Sequence, residues 1–378
     1  MPVSAQDLFN VDAIVEEARR GLPPGAADFI FLDGLRVLAD AFENEAELSP
    51  TGRRTIHGWL VGALQVQERV RRNVAEHPEI ATMSVGRPVF IIGLLRTGST
   101  FAQNLFAEHP DLRSPSLWEL MSPAGSPERA QRDALAYVED YYLHAPQLPA
   151  IHPMDAFRPD ECLRLFSNSF RSRVHWMRHY VPSYVEWLER QDLHSAYEYH
   201  KLQLRNILWR IPGEVPVMKC PFHVWNLEPL VDTYPEAHFI FLHRTPAVTI
   251  PSTCSLSAAL RAARSECVNR DEIGRFWLAQ VDKALDRVAR ARRTVLADKP
   301  VLDIEYADLT RDTMATMARI CDFIGVPLTA AAERGMRRLI DENTLKQHGE
   351  HRYSAEQFGL DSRALAERFA GDRREYAP

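Results

Sequence analysis

The chain has 378 residues, 46% of them hydrophobic and 25% charged, enough apolar material for one large domain or two ordinary ones with a sizeable core. A formal net charge of −6 supplies no basic field for nucleic acid or anionic lipid, so any anionic ligand must be held by a local cluster. Cysteines at 162, 220, 254, 267 and 321 are odd in number and scattered without a C-x-x-C pair, which argues against a disulfide framework or a zinc site, and no apolar run approaches the roughly 18 residues of a membrane helix.

The N-terminus carries acidic residues among its apolar ones, unlike a signal peptide, and the expectation is a cytoplasmic protein. Residues 1–85 read as a helical N-terminal extension packed on the core, with Phe29, Leu32, Leu35, Leu38 and Phe42 near helical spacing. Short continuous apolar runs follow at 88–92, 215–218, 238–242 and 300–304, the pattern of strands buried on both faces. Helical segments between them predict an α/β fold: three α/β/α layers around a central parallel sheet, with ligands bound at the carboxyl ends of the strands. The interval of about 110–214 lacks a strand signal, holds Phe166, Phe170, Trp176, Tyr184, Trp187 and Tyr197 among other aromatics, and reads as a helical insertion. An acceptor pocket is expected there, since apolar walls exclude water.

Two segments point to anion chemistry. In "PVFIIGLLRTGST", residues 88–100, Gly93 and Gly98 have the spacing of the ATP-binding loop G-x-x-x-x-G-K-[ST], but Ser99 stands in the lysine position. A strand, a glycine-rich turn and a helix opening near Ser99 aim backbone N–H groups and the positive helix end at a phosphate. Arg96 supplies a cation from inside the loop, so an anionic ligand other than Mg-ATP is indicated. In "FIFLHRTPAVTIPS", Arg244 follows a strand and Ser252 lies eight residues on, a second anion site on the same sheet edge. Two such sites suit a nucleotide phosphorylated at two separated places.

Together with "MKCPFHVWNLEPLVDTYPEAH" and "LDIEYADL", these segments resemble, in order and spacing over about residues 86–327, the sulfotransferases that use 3′-phosphoadenosine 5′-phosphosulfate (PAPS), especially bacterial and tyrosylprotein enzymes. The resemblance implies a P-loop NTPase-like domain over 86–378, with PAPS as co-substrate and no metal. It assigns the 5′-phosphosulfate to Arg96, Thr97, Gly98, Ser99 and Thr100, and the 3′-phosphate to Arg244 and Ser252, where the frequent R-D-P appears as R-T-P. It gives Lys219 the place of the lysine near the sulfate and the leaving oxygen. It also implies a C-terminal lid over about residues 340–378, in which Lys346, His351, Arg352 and Tyr353 belong to the tail covering the nucleotide.

The acceptor's base is less constrained. The histidine that many cytosolic sulfotransferases carry two residues after the lysine is replaced by Pro221. By likeness to tyrosylprotein enzymes, Glu119, 23 residues after Arg96, is the first candidate, with His223 in reserve and Glu161 third. The expected partner is a small hydroxyl acceptor, a lipid-like alcohol or a phenol. The rival readings are a P-loop kinase of a small molecule and a nucleotide-binding regulatory protein without turnover.

Overall fold

The computed structural model describes residues 8–25, 28–342, 352–372 and 374. Its centre is a five-stranded sheet of β1 (Val89–Ile92), β2 (Leu112–Arg113), β3 (Val215–Lys219), β4 (His238–His243) and β5 (Val301–Glu305), in the spatial order β2-β3-β1-β4-β5. All pairings are parallel. β1, β3, β4 and β5 are the four apolar runs of the sequence. β2 has only two residues, too few to show a period, and lies where no strand was expected.

Alternate residues of each strand enter different cores, as a pleated strand requires. Phe90, Ile92, Met218, Phe239 and Phe241 join the larger core, which also contains residues of the N-terminal helices and of the 110–214 segment. Val89, Ile91, Val217, Ile240 and Leu242 join the smaller one, built with helices Ser99–Phe106, Thr313–Ile324 and Ala330–Glu342. Two covered faces make the three-layer arrangement and explain why these strands are continuously apolar.

The N-terminal helices lean on the 110–214 segment through its aromatics. Phe42 meets His175 and His179 edge-on at ring distances of 6.0 and 5.0 Å, and Trp59 packs on Phe170 and His175. Gln67, on the 27-residue helix Pro50–Glu76, donates to the Asn168 carbonyl at 2.7 Å. Of the aromatics read in the sequence, Phe170 serves this seam, where burying a large ring contributes about 1.5–3 kcal/mol. Phe166 and Tyr197 line a small interior cavity instead.

The register of the sheet positions the site. Ile91 pairs with Lys219, Ile92 with Phe241 and His243 with Glu305, so the carboxyl ends of β1, β3, β4 and β5 finish side by side. The chain leaving each end contributes to one cavity.

Candidate active site

After Ile92 the chain must reverse into the helix Ser99–Phe106 within six residues. Gly93 turns at φ 148°, where a Cβ would lie 2.4 Å from the Leu242 carbonyl oxygen; Gly98 turns at φ 86°, where a Cβ would lie 2.8 Å from the Tyr306 ring. Neither position admits a side chain without displacement. Arg96 is also left-handed, at φ 70°, a conformation that costs a non-glycine residue about 1–3 kcal/mol and persists only when its surroundings hold it. They do so at three points. Its carbonyl accepts from Arg244 at 3.1 Å, its Nε donates to Ser252 Oγ at 3.0 Å, and its Nη2 donates to the Ile151 carbonyl at 3.0 Å. Thr97 is fully buried and donates to the Leu94 carbonyl at 2.9 Å, so its side chain braces the loop from within.

Arg244 follows β4 and stacks over Tyr306 at 4.2 Å. Ser252, on the helix Pro246–Ala262, faces Arg96. The two anion sites read separately in the sequence thus form one connected cluster in the ligand-free protein. Burial lowers the pKa of Arg96 and neighbouring Arg244 lowers it further, while Tyr353 acts in the opposite direction. Tyr353 therefore lies within electrostatic reach of the loop. Arg352 is exposed, and Lys346 and His351 fall outside the described residues.

A cavity of about 570 Å³ opens beside the loop. Arg96, Gly98, Ser99, Thr100, Arg244 and Tyr306 line its polar end. Its apolar wall includes Leu95, Phe101, Ile151, Met177, Leu256 and Ile340. Lys219 ends β3 immediately behind this surface. Only 1% exposed, it donates to Glu161 Oε1 at 2.7 Å and to Thr100 Oγ1 at 3.3 Å. The loop geometry and the mixed cationic and apolar lining fit a donor with separated anionic groups, since backbone N–H groups and two guanidiniums converge there.

The three expected bases have different fates. Glu119 is 2% exposed, accepts from the backbone N–H and hydroxyl of Ser116 at 2.8 and 2.7 Å, and pairs with Arg113. It completes the capping box of helix Leu117–Met121 and is absent from the cavity lining, an arrangement that favours a structural role over the expected catalytic one. His223 is absent from that lining as well: 1% exposed, its ring is held between Tyr197 Oη at 2.8 Å and Cys162 Sγ at 3.3 Å, and burial pushes its pKa down to about 3. Scattered in sequence, Cys162, Cys220 and His223 meet in this interior cluster.

Glu161 alone of the three lines the cavity. Its backbone is fixed on both sides, because the Asp160 carbonyl accepts from Gln103 at 3.0 Å and Cys162 N–H donates to the Lys219 carbonyl at 2.9 Å. The buried Arg164 anchors Asp160 at 2.8 Å. The sequence reading missed His152, which lines the same cavity; a lone histidine in a loop carries no periodic or motif signal.

The Sulfotransferase family model matches residues 88–330, which include the loop, all of β1 to β5, Glu161, Lys219, Arg244 and Ser252. The chain belongs to the sulfotransferase family. Relatives of this sulfotransferase include the omega-hydroxy-beta-dihydromenaquinone-9 sulfotransferases Stf3 of Mycobacterium bovis and Mycobacterium tuberculosis, each 23% identical over 326 residues, with 80% of this chain and 76% of the relative covered. The crystal structure of sulfotransferase STF1 from Mycobacterium tuberculosis H37Rv superposes with a TM-score of 0.80 at 28% identity, covering 97% of this chain and 100% of the other. Sulfotransferase STF9 from Mycobacterium avium gives 0.82 at 25% identity, with 96% and 95% covered. The kinase and non-catalytic readings are replaced: this sulfotransferase is an enzyme that moves a sulfuryl group from PAPS to an acceptor hydroxyl. Among the described residues, no helix is long and apolar enough to cross a membrane.

Proposed function

We propose that this sulfotransferase works in the cytoplasm on a small apolar alcohol or phenol, with protein cations in place of a metal ion. The carrying observation is the cavity itself: Arg96, Arg244 and the Gly98–Thr100 turn occupy one end, and aliphatic and aromatic side chains form most of the rest. Stf3 is named for an acceptor that joins a menaquinone to a terminal hydroxyl, and an amphiphile of that kind suits such a lining. Arg96, Gly98, Ser99 and Thr100 hold the phosphosulfate, while Arg244 and Ser252 hold the 3′-phosphate. Thr97 contributes by bracing the loop, and Tyr353, with Arg352, belongs to the segment that closes over the donor.

In the transfer, the acceptor oxygen bonds to sulfur as the bond from sulfur to the 5′-phosphate oxygen breaks, leaving negative charge on that oxygen. Arg96 neutralises this charge from the loop, and Lys219 acts across Thr100, to which it is hydrogen-bonded at 3.3 Å. A preorganised cation that meets growing charge in a water-poor site is worth about 10²–10³-fold in rate. Lys219→Met should accordingly lower kcat by that factor while 3′,5′-ADP binds nearly as before. The deciding experiment is calorimetry of 3′,5′-ADP, ADP and ATP with and without Mg²⁺. Tightest binding of 3′,5′-ADP, indifferent to Mg²⁺, is expected; a Mg²⁺-dependent preference for ATP would defeat the proposal.

A further inference from the structure

His152 has the properties that the expected bases lack. It follows the short helix Leu148–Ile151, is half-buried, and lines the cavity together with Arg96, Thr100 and Glu161. Its own N–H is tied to the Leu148 carbonyl at 2.7 Å, and the preceding Ile151 carbonyl receives Arg96 at 3.0 Å, so this backbone is clamped to the donor loop. Among the described residues, its ring makes no hydrogen bond, leaving the imidazole nitrogens available to a ligand. Glu161 differs in this respect. Its carboxylate is engaged by the ammonium of buried Lys219 at 2.7 Å, and taking a proton there would leave that ammonium without its counter-charge.

Building on the transfer reading above, we infer that His152 is the catalytic base that takes the acceptor's hydroxyl proton, and that Glu161 is a positioning residue for Lys219. As the acceptor oxygen bonds to sulfur, its proton passes to a ring nitrogen of His152. The electron pair of the breaking S–O bond goes to the departing 5′-phosphate oxygen. The products are the sulfate ester, 3′,5′-ADP and one proton, which leaves His152 for solvent. No redox partner is needed.

The electrostatics keep the His152 imidazole unprotonated and, as burial does for His223, leave it a weak base until the donor's charge offsets the neighbouring cations. Burial pushes the pKa of His152 down to about 4; Glu161 and Asp160 act to raise it, and Lys219 and Arg96 to lower it. The imidazole is therefore neutral and proton-accepting at pH 7. A bound donor brings negative charge against Arg96 and Lys219 and weakens their effect, so the pKa should be higher in the loaded enzyme than in the free one.

The test compares wild type, His152→Ala, His152→Gln and Glu161→Gln with PAPS and two acceptor probes, 2-naphthol and 1-dodecanol, following formation of 3′,5′-ADP. Both His152 variants should bind 3′,5′-ADP within about threefold of wild type and lose about 10²–10⁴-fold in kcat. Added imidazole should restore His152→Ala by tenfold or more, a rescue that a residue with only a packing role would not show. The acidic limb of the wild-type kcat profile, where activity falls as His152 is protonated, should vanish in His152→Gln. Glu161→Gln should lose turnover without imidazole rescue and retain the acidic limb. Folded His152→Ala with more than a third of wild-type kcat, or rescue confined to Glu161→Gln, would overturn the assignment. Wild type that binds 3′,5′-ADP but sulfates neither probe would instead count against the proposed acceptor class, and the NMR titration of His152 with 3′,5′-ADP bound would then decide. A pKa that does not rise above the free-enzyme value would refute the electrostatic basis of the proposal.

Discussion

Replacing Glu119 by glutamine distinguishes a base from a brace. Glutamine at this position can still accept from the Ser116 backbone and so keeps much of the capping box. What disappears is the charge facing Arg113, a guanidinium only 17% exposed that also donates to the Ser114 carbonyl. A hydrogen bond to a charged group contributes about 1.5–3 kcal/mol, and removing one partner of a fully buried pair costs about 3–5. Arg113 retains some solvent and a backbone acceptor, which places the loss near the lower figure, about 2 kcal/mol, or roughly 2–3 °C in Tm for a chain of 378 residues. Glu119→Ala removes the cap as well and should cost about 1 kcal/mol more. Urea titration and thermal melts measure both, while turnover per folded molecule should remain within about threefold of wild type. A Glu119→Gln protein with unchanged melting and a hundredfold lower kcat would refute this reasoning and return Glu119 to the chemistry.

Gly98→Ala should cost about 1–3 kcal/mol and weaken 3′,5′-ADP binding, because φ 86° is strained for alanine and the added methyl meets Tyr306; unchanged melting and affinity would contradict the cradle geometry. Arg244→Ala should remove roughly 10- to 150-fold of the preference for 3′,5′-ADP over ADP, measured by calorimetry, through loss of a charged hydrogen bond. The interior histidines make the fold acid-sensitive. Burial holds His175 and His223 down to about 3, and His179 and His200 well below the ordinary value of 6.5. The unfolded chain therefore binds more protons, so their contribution is complete above about pH 6.5 and is lost progressively as pH falls toward 3. Stability should therefore fall as pH drops below about 6.5, readable from urea unfolding at several pH values; a flat profile between about pH 7 and 4.5 would contradict this reading.

The sheet was legible because β1, β3 and β4 are buried on both faces and leave continuous apolar runs, and half-buried β5 keeps a short one, whereas β2, with two residues, leaves none. The loop was equally readable: Gly93 and Gly98 are demanded by backbone turns that admit no side chain. The base was not. Distance along the chain selected Glu119, but its place at the third position of a short helix turns its carboxylate back onto Ser116, a local bond that needs no ligand. His223 follows a strand end, as a catalytic histidine could, yet its ring points inward to Tyr197. The aromatics of the 110–214 segment occur in cores and pockets alike: contact with Trp59 assigns Phe170 to the former, whereas Phe166 and Tyr197 also line a small cavity.

The bond from Arg96 to Ser252 sets the loop arginine against the 3′-phosphate as rival partners of one serine. With Ser252 taken as the seat of the 3′-phosphate, the loop arginine already rests where the far end of the donor must arrive. An anion that engages only the loop has to strip Arg96 from Ser252 and gives nothing back to the serine. A donor carrying both anionic groups replaces each broken contact as it enters. If Ser252 seats the 3′-phosphate, this single contact would disfavour inorganic sulfate and nucleotides lacking that group relative to a two-ended ligand.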